Sequence, residues 1–115
     1  MNQIDLNGRF IVITGGARGI GYAIAERVAA SGGKPVMWDI NHDSLNRAGQ
    51  ALGGLGIAVD VCDRAALQAA AQQTIAAFGR IDGLVCSAGI TGPVLPVSKY
   101  PLAEWDRVIN VNLTG

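Results

Sequence analysis

The stretch Arg9–Gly21, RFIVITGGARGIG, decides how the rest of the chain is read. Phe10-Ile11-Val12-Ile13 is an unbroken β-favouring apolar run, as expected of a strand buried on both faces of a parallel sheet. Thr14 ends the run, and Gly15, Gly16, Gly19 and Gly21 follow. From Ile20 the apolar period changes: Ile20, Ile24 and Val28 recur at helical spacing. A strand that feeds a helix through such a turn aims free backbone N–H groups and the positive end of the helix dipole at one point. That point suits a phosphate or pyrophosphate. Glycine lets the backbone come close to the anion and supplies the positive φ such turns need.

Composition narrows the classes. The 115 residues make room for one domain with a real core, half of them are hydrophobic, and 16 glycines with few aromatics fit an α/β protein with many tight turns. Lysine plus arginine balance aspartate plus glutamate at nine each, so nothing favours nucleic acid or an anionic membrane as partner. MNQIDLNGRF has neither a basic nor an apolar leader region, and no run reaches transmembrane length, so a soluble cytoplasmic protein is expected. Cys62 and Cys86 read as buried, reduced thiols. His42 is the only histidine, which argues against a histidine metal site or a Ser-His-Asp triad; no metal is expected.

Outward from the glycine turn, Ser31-Gly32-Gly33 stops the first helix and Lys34–Asp39 is a second strand. Asn41 to Ser44 offers N-caps for a helix from about Ser44 to Leu52, and Leu55–Val59 is a third strand. Asp63 caps an alanine-rich helix whose stripe is Leu67, Ala71, Thr74, Ile75 and Phe78. Ile81–Cys86 is a fourth strand, Ser87–Pro101 a loop with three prolines, and a last helix from Leu102 sets Leu102, Trp105, Val108 and Ile109 on one face. Four strands alternating with helices predict right-handed βαβ units on a parallel sheet.

Asp39 closes the second strand at about the distance beyond the glycines where a dinucleotide-binding fold places the acid that accepts from the adenosine ribose. A carboxylate there repels the 2′-phosphate of NADP and favours NAD. Arg18, inside the glycine turn, works the other way, because it could pair with that phosphate.

The spacing Thr14-Gly15-x-x-x-Gly19-x-Gly21 differs from G-x-G-x-x-G and resembles the T-G-x-x-x-G-x-G of the short-chain dehydrogenase/reductase family. Asp39, Asp60-Val61, Ala88-Gly89 and Val111-Asn112-Leu113-Thr114-Gly115 match that family in order, so the resemblance spans nearly the whole chain. It implies a Rossmann-type doubly wound sheet of order 3-2-1-4 over residues 1–115, the dinucleotide-binding portion of a longer domain. Gly15, Arg18, Gly19, Ile20, Gly21, Asp39 and Ile40 are then cofactor contacts, with Asp60 and Val61 at the adenine and Ser87, Ala88 and Gly89 beneath the nicotinamide ribose. Cys86-Ser87 stands where the family has two asparagines, so Ser87 can only partly replace the bonds that tie this turn to the sheet. Asn112 corresponds to the active-site asparagine that holds a relay water. It falls on the apolar face of the last helix, where a polar amide needs a partner.

The family's catalytic Ser and Tyr-x-x-x-Lys are absent, since Tyr22 and Tyr100 are each followed four residues later by glutamate. The resemblance therefore implies the N-terminal half of an NAD(H)-dependent oxidoreductase acting on an alcohol or carbonyl, with NADP the lesser cofactor. Alone, it is expected to be inactive. A non-catalytic dinucleotide-binding module, or a structural and assembly fragment, would carry the same motifs. With no fifth strand, the fourth presents an open edge, and a homo-oligomer is expected.

Overall fold

The computed structural model describes residues 2–115. Four parallel strands form one sheet: β1 (Phe10–Thr14), β2 (Lys34–Asp39), β3 (Leu55–Ala58) and β4 (Gly83–Cys86), in the order β3-β2-β1-β4. The expected topology and strand order are observed. Helices α1 (Gly19–Ala30), α2 (His42–Leu52) and α3 (Arg64–Phe78) connect them.

Alternation along the strands divides the core in two. Ile13 and Met37 face α1 and α2, with Ala25, Val28, Leu45 and Ala48. Val12, Val36, Trp38 and Ile57 face α3, with Ala70. Leu67, Ala71 and Phe78 of α3 pack against this layer. Its fully buried Thr74 donates its hydroxyl to the Ala70 carbonyl at 2.8 Å, so that hydroxyl is satisfied within the helix. Ile75, expected in the buried stripe, is exposed on the flank, and Ala70 takes the inner position.

Helix ends follow their capping chemistry. The Asn41 side chain accepts from the Ser44 N–H at 2.9 Å, which starts α2 at His42, earlier than the apolar pattern suggests. Asp63 accepts from the Ala66 N–H at 3.0 Å, as expected, and α3 stops at Gly79 with φ 82°.

Four expectations are corrected. β3 ends at Ala58, although the Val59 N–H still reaches the Asp39 carbonyl at 2.9 Å. β4 begins at Gly83 instead of Ile81; at Asp82 the backbone N–H still donates to the Phe10 carbonyl at 2.8 Å, and the side chain clamps the base of the sheet. Its carboxylate accepts from the Phe10 N–H at 2.8 Å and from Arg80 Nε at 3.0 Å. The Ser87–Pro101 loop contains a 3₁₀ turn at Val97–Lys99. Cys86 is exposed, because β4 is an edge strand whose outer face, Leu84 included, has no covering element among the described residues, and Cys62, in the turn between β3 and α3, is half-buried.

The last helix, α4 (Leu102–Ile109), begins where expected and passes into a wider π turn at Asn110–Thr114, closed by Gly115 N–H to the Asn110 carbonyl at 2.7 Å. Its apolar face is amphipathic but open: Leu102, Trp105 and Ile109 are exposed.

Candidate functional site

The carboxyl ends of the strands converge on one cleft, the place where an open parallel sheet takes its ligand. After β1 the chain turns at Gly15, whose φ is +63°. A Cβ there would lie 3.0 to 3.1 Å from backbone atoms of Ser87 and Ala88. A Cβ on Gly21 would run into the Gly15 carbonyl oxygen. Both positions need glycine so that the turn can close between β1, α1 and the β4 exit.

No side chain caps α1. The first bond back into its N-terminus is Tyr22 N–H to the Arg18 carbonyl at 3.2 Å. The N–H groups of Gly19, Ile20 and Gly21 belong to the set that a helix leaves without an intrahelical acceptor. They sit at the positive end of the dipole.

At the end of β2, Asp39 is buried, its side chain only 3% exposed. Its Oδ2 accepts from the Ala17 N–H at 3.2 Å, and its Oδ1 accepts from the Asn41 N–H and from Arg18 Nη2, each at 3.2 Å. Arg18 and Asp39, read from the sequence as opposing influences on cofactor choice, thus form an ion pair. After β3, the Asp60 carboxylate accepts from the Cys62 N–H at 2.9 Å. Burial pushes the Cys62 thiol up from its ordinary range, and the negative charge and hydrogen bond of Asp60 push the same way.

At the β4 exit the tie to the sheet comes from Thr14. Its Oγ1 accepts from the N–H groups of Ser87 and Ala88, both at 3.1 Å. Thr14 was read only as the end of a strand. Its position opposite Cys86 in the β1–β4 register is what lets it serve the turn, and that register becomes visible only in the fold. Asn112 finds the partner its position demanded: Oδ1 accepts from the Ile90 N–H and Nδ2 donates to the Ile90 carbonyl, each at 2.8 Å. The pair holds the loop after β4 against the π turn.

Two adjoining hollows make up the cleft. The larger in lining, about 370 Å³, holds Gly15, Arg18, Asp39, Ile40, Asp60, Val61, Ala88 and Gly89. The other, about 380 Å³, shares Gly15, Arg18, Asp39 and Gly89 with it and adds Gly19, Ile20, Gly21 and Ser87. Every expected cofactor contact therefore faces one cleft. Asn112 lies outside both, on a neighbouring shallow surface that it shares with Gly89 and Ile90.

Ile90 and Trp38, not singled out from the sequence, also line the cleft. Ile90 had no motif to mark it, and Trp38 reads as an ordinary strand residue until the fold places it on the wall of the same hollow as Val61. Among the described residues no cluster of His, Cys, Asp or Glu could hold a metal ion, and no helix is long and apolar enough to cross a membrane.

The arrangement sets an uncapped helix N-terminus, which can take an anion, beside a buried carboxylate at the strand ends, the features by which such a sheet binds a nucleotide. Comparisons with known proteins point the same way. The family model described as short chain dehydrogenase matches residues 9–115. The 2-dehydro-3-deoxy-L-rhamnonate dehydrogenase (NAD(+)) of Sphingomonas sp. (strain SKA58) is 44% identical over 94% of this chain and 44% of its own length. The D-threitol dehydrogenase of Mycolicibacterium smegmatis is 40% identical over 96% of this chain and 44% of its own length. A crystal structure of a short-chain dehydrogenase/reductase from Brucella melitensis, titled glucose/ribitol dehydrogenase, superposes with a TM-score of 0.92 at 32% identity, over 98% of this chain and 49% of that one. The chain thus spans less than half the length of these curated relatives, and along nearly all of its own length it belongs to the short-chain dehydrogenase family.

Proposed function

We propose that residues 1–115 are the dinucleotide-binding portion of an NAD(H)-dependent oxidoreductase that acts on an alcohol or carbonyl. The observation that carries this reading is the buried carboxylate of Asp39, set at the carboxyl end of β2 in the same cleft as the uncapped N-terminus of α1. In this reading the N–H groups of Gly19, Ile20 and Gly21 receive the pyrophosphate, and Gly15 leaves room for it. Asp39 and Ile40 hold the adenosine ribose, and Asp60 and Val61 flank the adenine. Ser87, Ala88 and Gly89, tied to Thr14, support the nicotinamide ribose. A bound nicotinamide dinucleotide supplies the hydride donor or acceptor. Asn112 fixes the Ile90 loop beside that ring and orients the proton relay of the complete enzyme.

Asp39 favours NAD over NADP, because a 2′-phosphate would meet a buried negative charge. The relative from Sphingomonas, named for NAD(+), supports the same preference. The 115 residues contain no Tyr-x-x-x-Lys, so in this reading they transfer no hydride by themselves. In this reading the complete enzyme is a cytoplasmic homo-oligomer, with the exposed apolar residues of α4 offering surface for association.

Calorimetric titration with NAD+ and NADP+ tests the proposal. Saturable NAD+ binding, weaker NADP+ binding and a narrowed preference in Asp39→Asn are expected. Equal affinity for the two nucleotides, unaffected by that substitution, would refute the role of Asp39.

A further inference from the structure

We propose that Arg18 is a latch on the ribose-recognition carboxylate: its guanidinium competes with an incoming ribose diol for Asp39, so a nucleotide enters as the Arg18–Asp39 pair opens. The inference rests on the reading of Asp39 as the ribose acceptor. It goes beyond that reading by making the glycine-turn arginine a brake on the same site.

Acceptor capacity carries the argument. A carboxylate offers about four lone-pair positions. In Asp39 three are filled: the Ala17 N–H takes one on Oδ2, and the Asn41 N–H and Arg18 Nη2 take both on Oδ1. One position remains, whereas a vicinal diol donating through both hydroxyls needs two. One of the three donors must therefore leave.

The backbone donors cannot, since Ala17 belongs to the glycine turn and Asn41 caps α2. Arg18 can. Its side chain is 58% exposed against 3% for Asp39, so its guanidinium has water to return to while the carboxylate stays fixed. No other cation is paired with Asp39 among the described residues.

The consequence for selectivity is specific. Once released, the guanidinium stands beside the position of a ribose 2′ substituent. A 2′-phosphate gives it a new partner, and a free hydroxyl does not. The latch therefore weakens the binding of unphosphorylated ribose and softens the rejection of the phosphorylated one, narrowing the preference that Asp39 alone would set.

Adenosine and 2′-AMP are the probes, because neutral adenosine separates the ribose contact from general attraction between Arg18 and a phosphate. Titrations followed by NMR on the 115-residue chain compare wild type, Arg18→Met, Arg18→Lys and Asp39→Asn. Arg18→Met should bind adenosine about fivefold more tightly, the scale set by loss of one partly exposed ion pair, and should bind 2′-AMP more weakly. Arg18→Lys should fall between the two. In wild type, raising the salt concentration should tighten adenosine binding, because it screens the competing pair. The Arg18→Met variant should show no such salt response.

Adenosine binding that is unchanged or weaker in Arg18→Met, and insensitive to salt in wild type, overturns the latch. If that binding is nevertheless lost in Asp39→Asn, the ribose role of Asp39 stands and the latch alone falls. Adenosine binding by none of the four proteins overturns both.

Discussion

Thr14→Val is the substitution whose cost follows most directly from the structure. Valine keeps the shape and the β-branch of threonine, so it leaves no cavity and preserves strand propensity. It removes one atom that matters, the hydroxyl oxygen that accepts from the N–H groups of Ser87 and Ala88 at 3.1 Å each. Each hydrogen bond contributes about 1 kcal/mol net, and a backbone N–H left without an acceptor in a half-buried turn loses at least that much. Thr14 is itself buried, so water has little access to compensate. The expected loss is about 2 kcal/mol, or roughly 8 °C in Tm for a domain of this size. Thr14→Ser keeps the oxygen and should cost less than about 1 kcal/mol. Urea unfolding monitored by the fluorescence of Trp38 and Trp105 reads both variants. A Thr14→Val protein within about 0.5 kcal/mol of wild type, or one no less stable than Thr14→Ser, would refute the claim that this hydroxyl ties the β4 exit to the sheet.

Other residues give independent tests. Gly21→Ala places a methyl group against the Gly15 carbonyl and should destabilise by about 1–3 kcal/mol by overpacking, measurable by thermal unfolding. The Asp82 carboxyl is held below its ordinary value of 3.8, first by the Phe10 N–H and then by the hydrogen bond from Arg80. Its contribution to stability is therefore fully present above that value and fades as the pH falls below it, so acid unfolding should be less steep in Asp82→Asn. With iodoacetamide near pH 8, exposed Cys86 should be alkylated before half-buried Cys62, whose thiol is pushed up by burial, and peptide mass mapping would read the order.

Much of the fold could be read because local signals agreed with one another. The apolar run Phe10–Ile13, the glycines after it and the caps at Asn41 and Asp63 each specify an element without reference to distant residues. The strand order came from the family likeness and not from periodicity. What the sequence hid was long-range. Asp82 reads as an ordinary strand residue until Phe10 and Arg80 are seen to claim its carboxylate. Thr14 acts through residues more than seventy positions away. Cys86 reads as a core residue because an apolar run does not say which of its faces is left uncovered. For the cleft, glycine spacing marked the turn and Asp39, and the family resemblance supplied the other residues, but the pairing of Arg18 with Asp39 and of Asn112 with Ile90 emerged only from geometry.

The central claim is that the strand ends and the N-terminus of α1 form one dinucleotide cleft. The most direct measurement is the footprint of NADH on the amide NMR spectrum of the labelled chain. The account predicts saturable shifts concentrated at Gly19, Ile20 and Gly21 and at Ile40 and Val61, with little change at Leu102 or along the outer face of α4. Shifts confined to α4, or none at those five amides as NADH saturates, would contradict it.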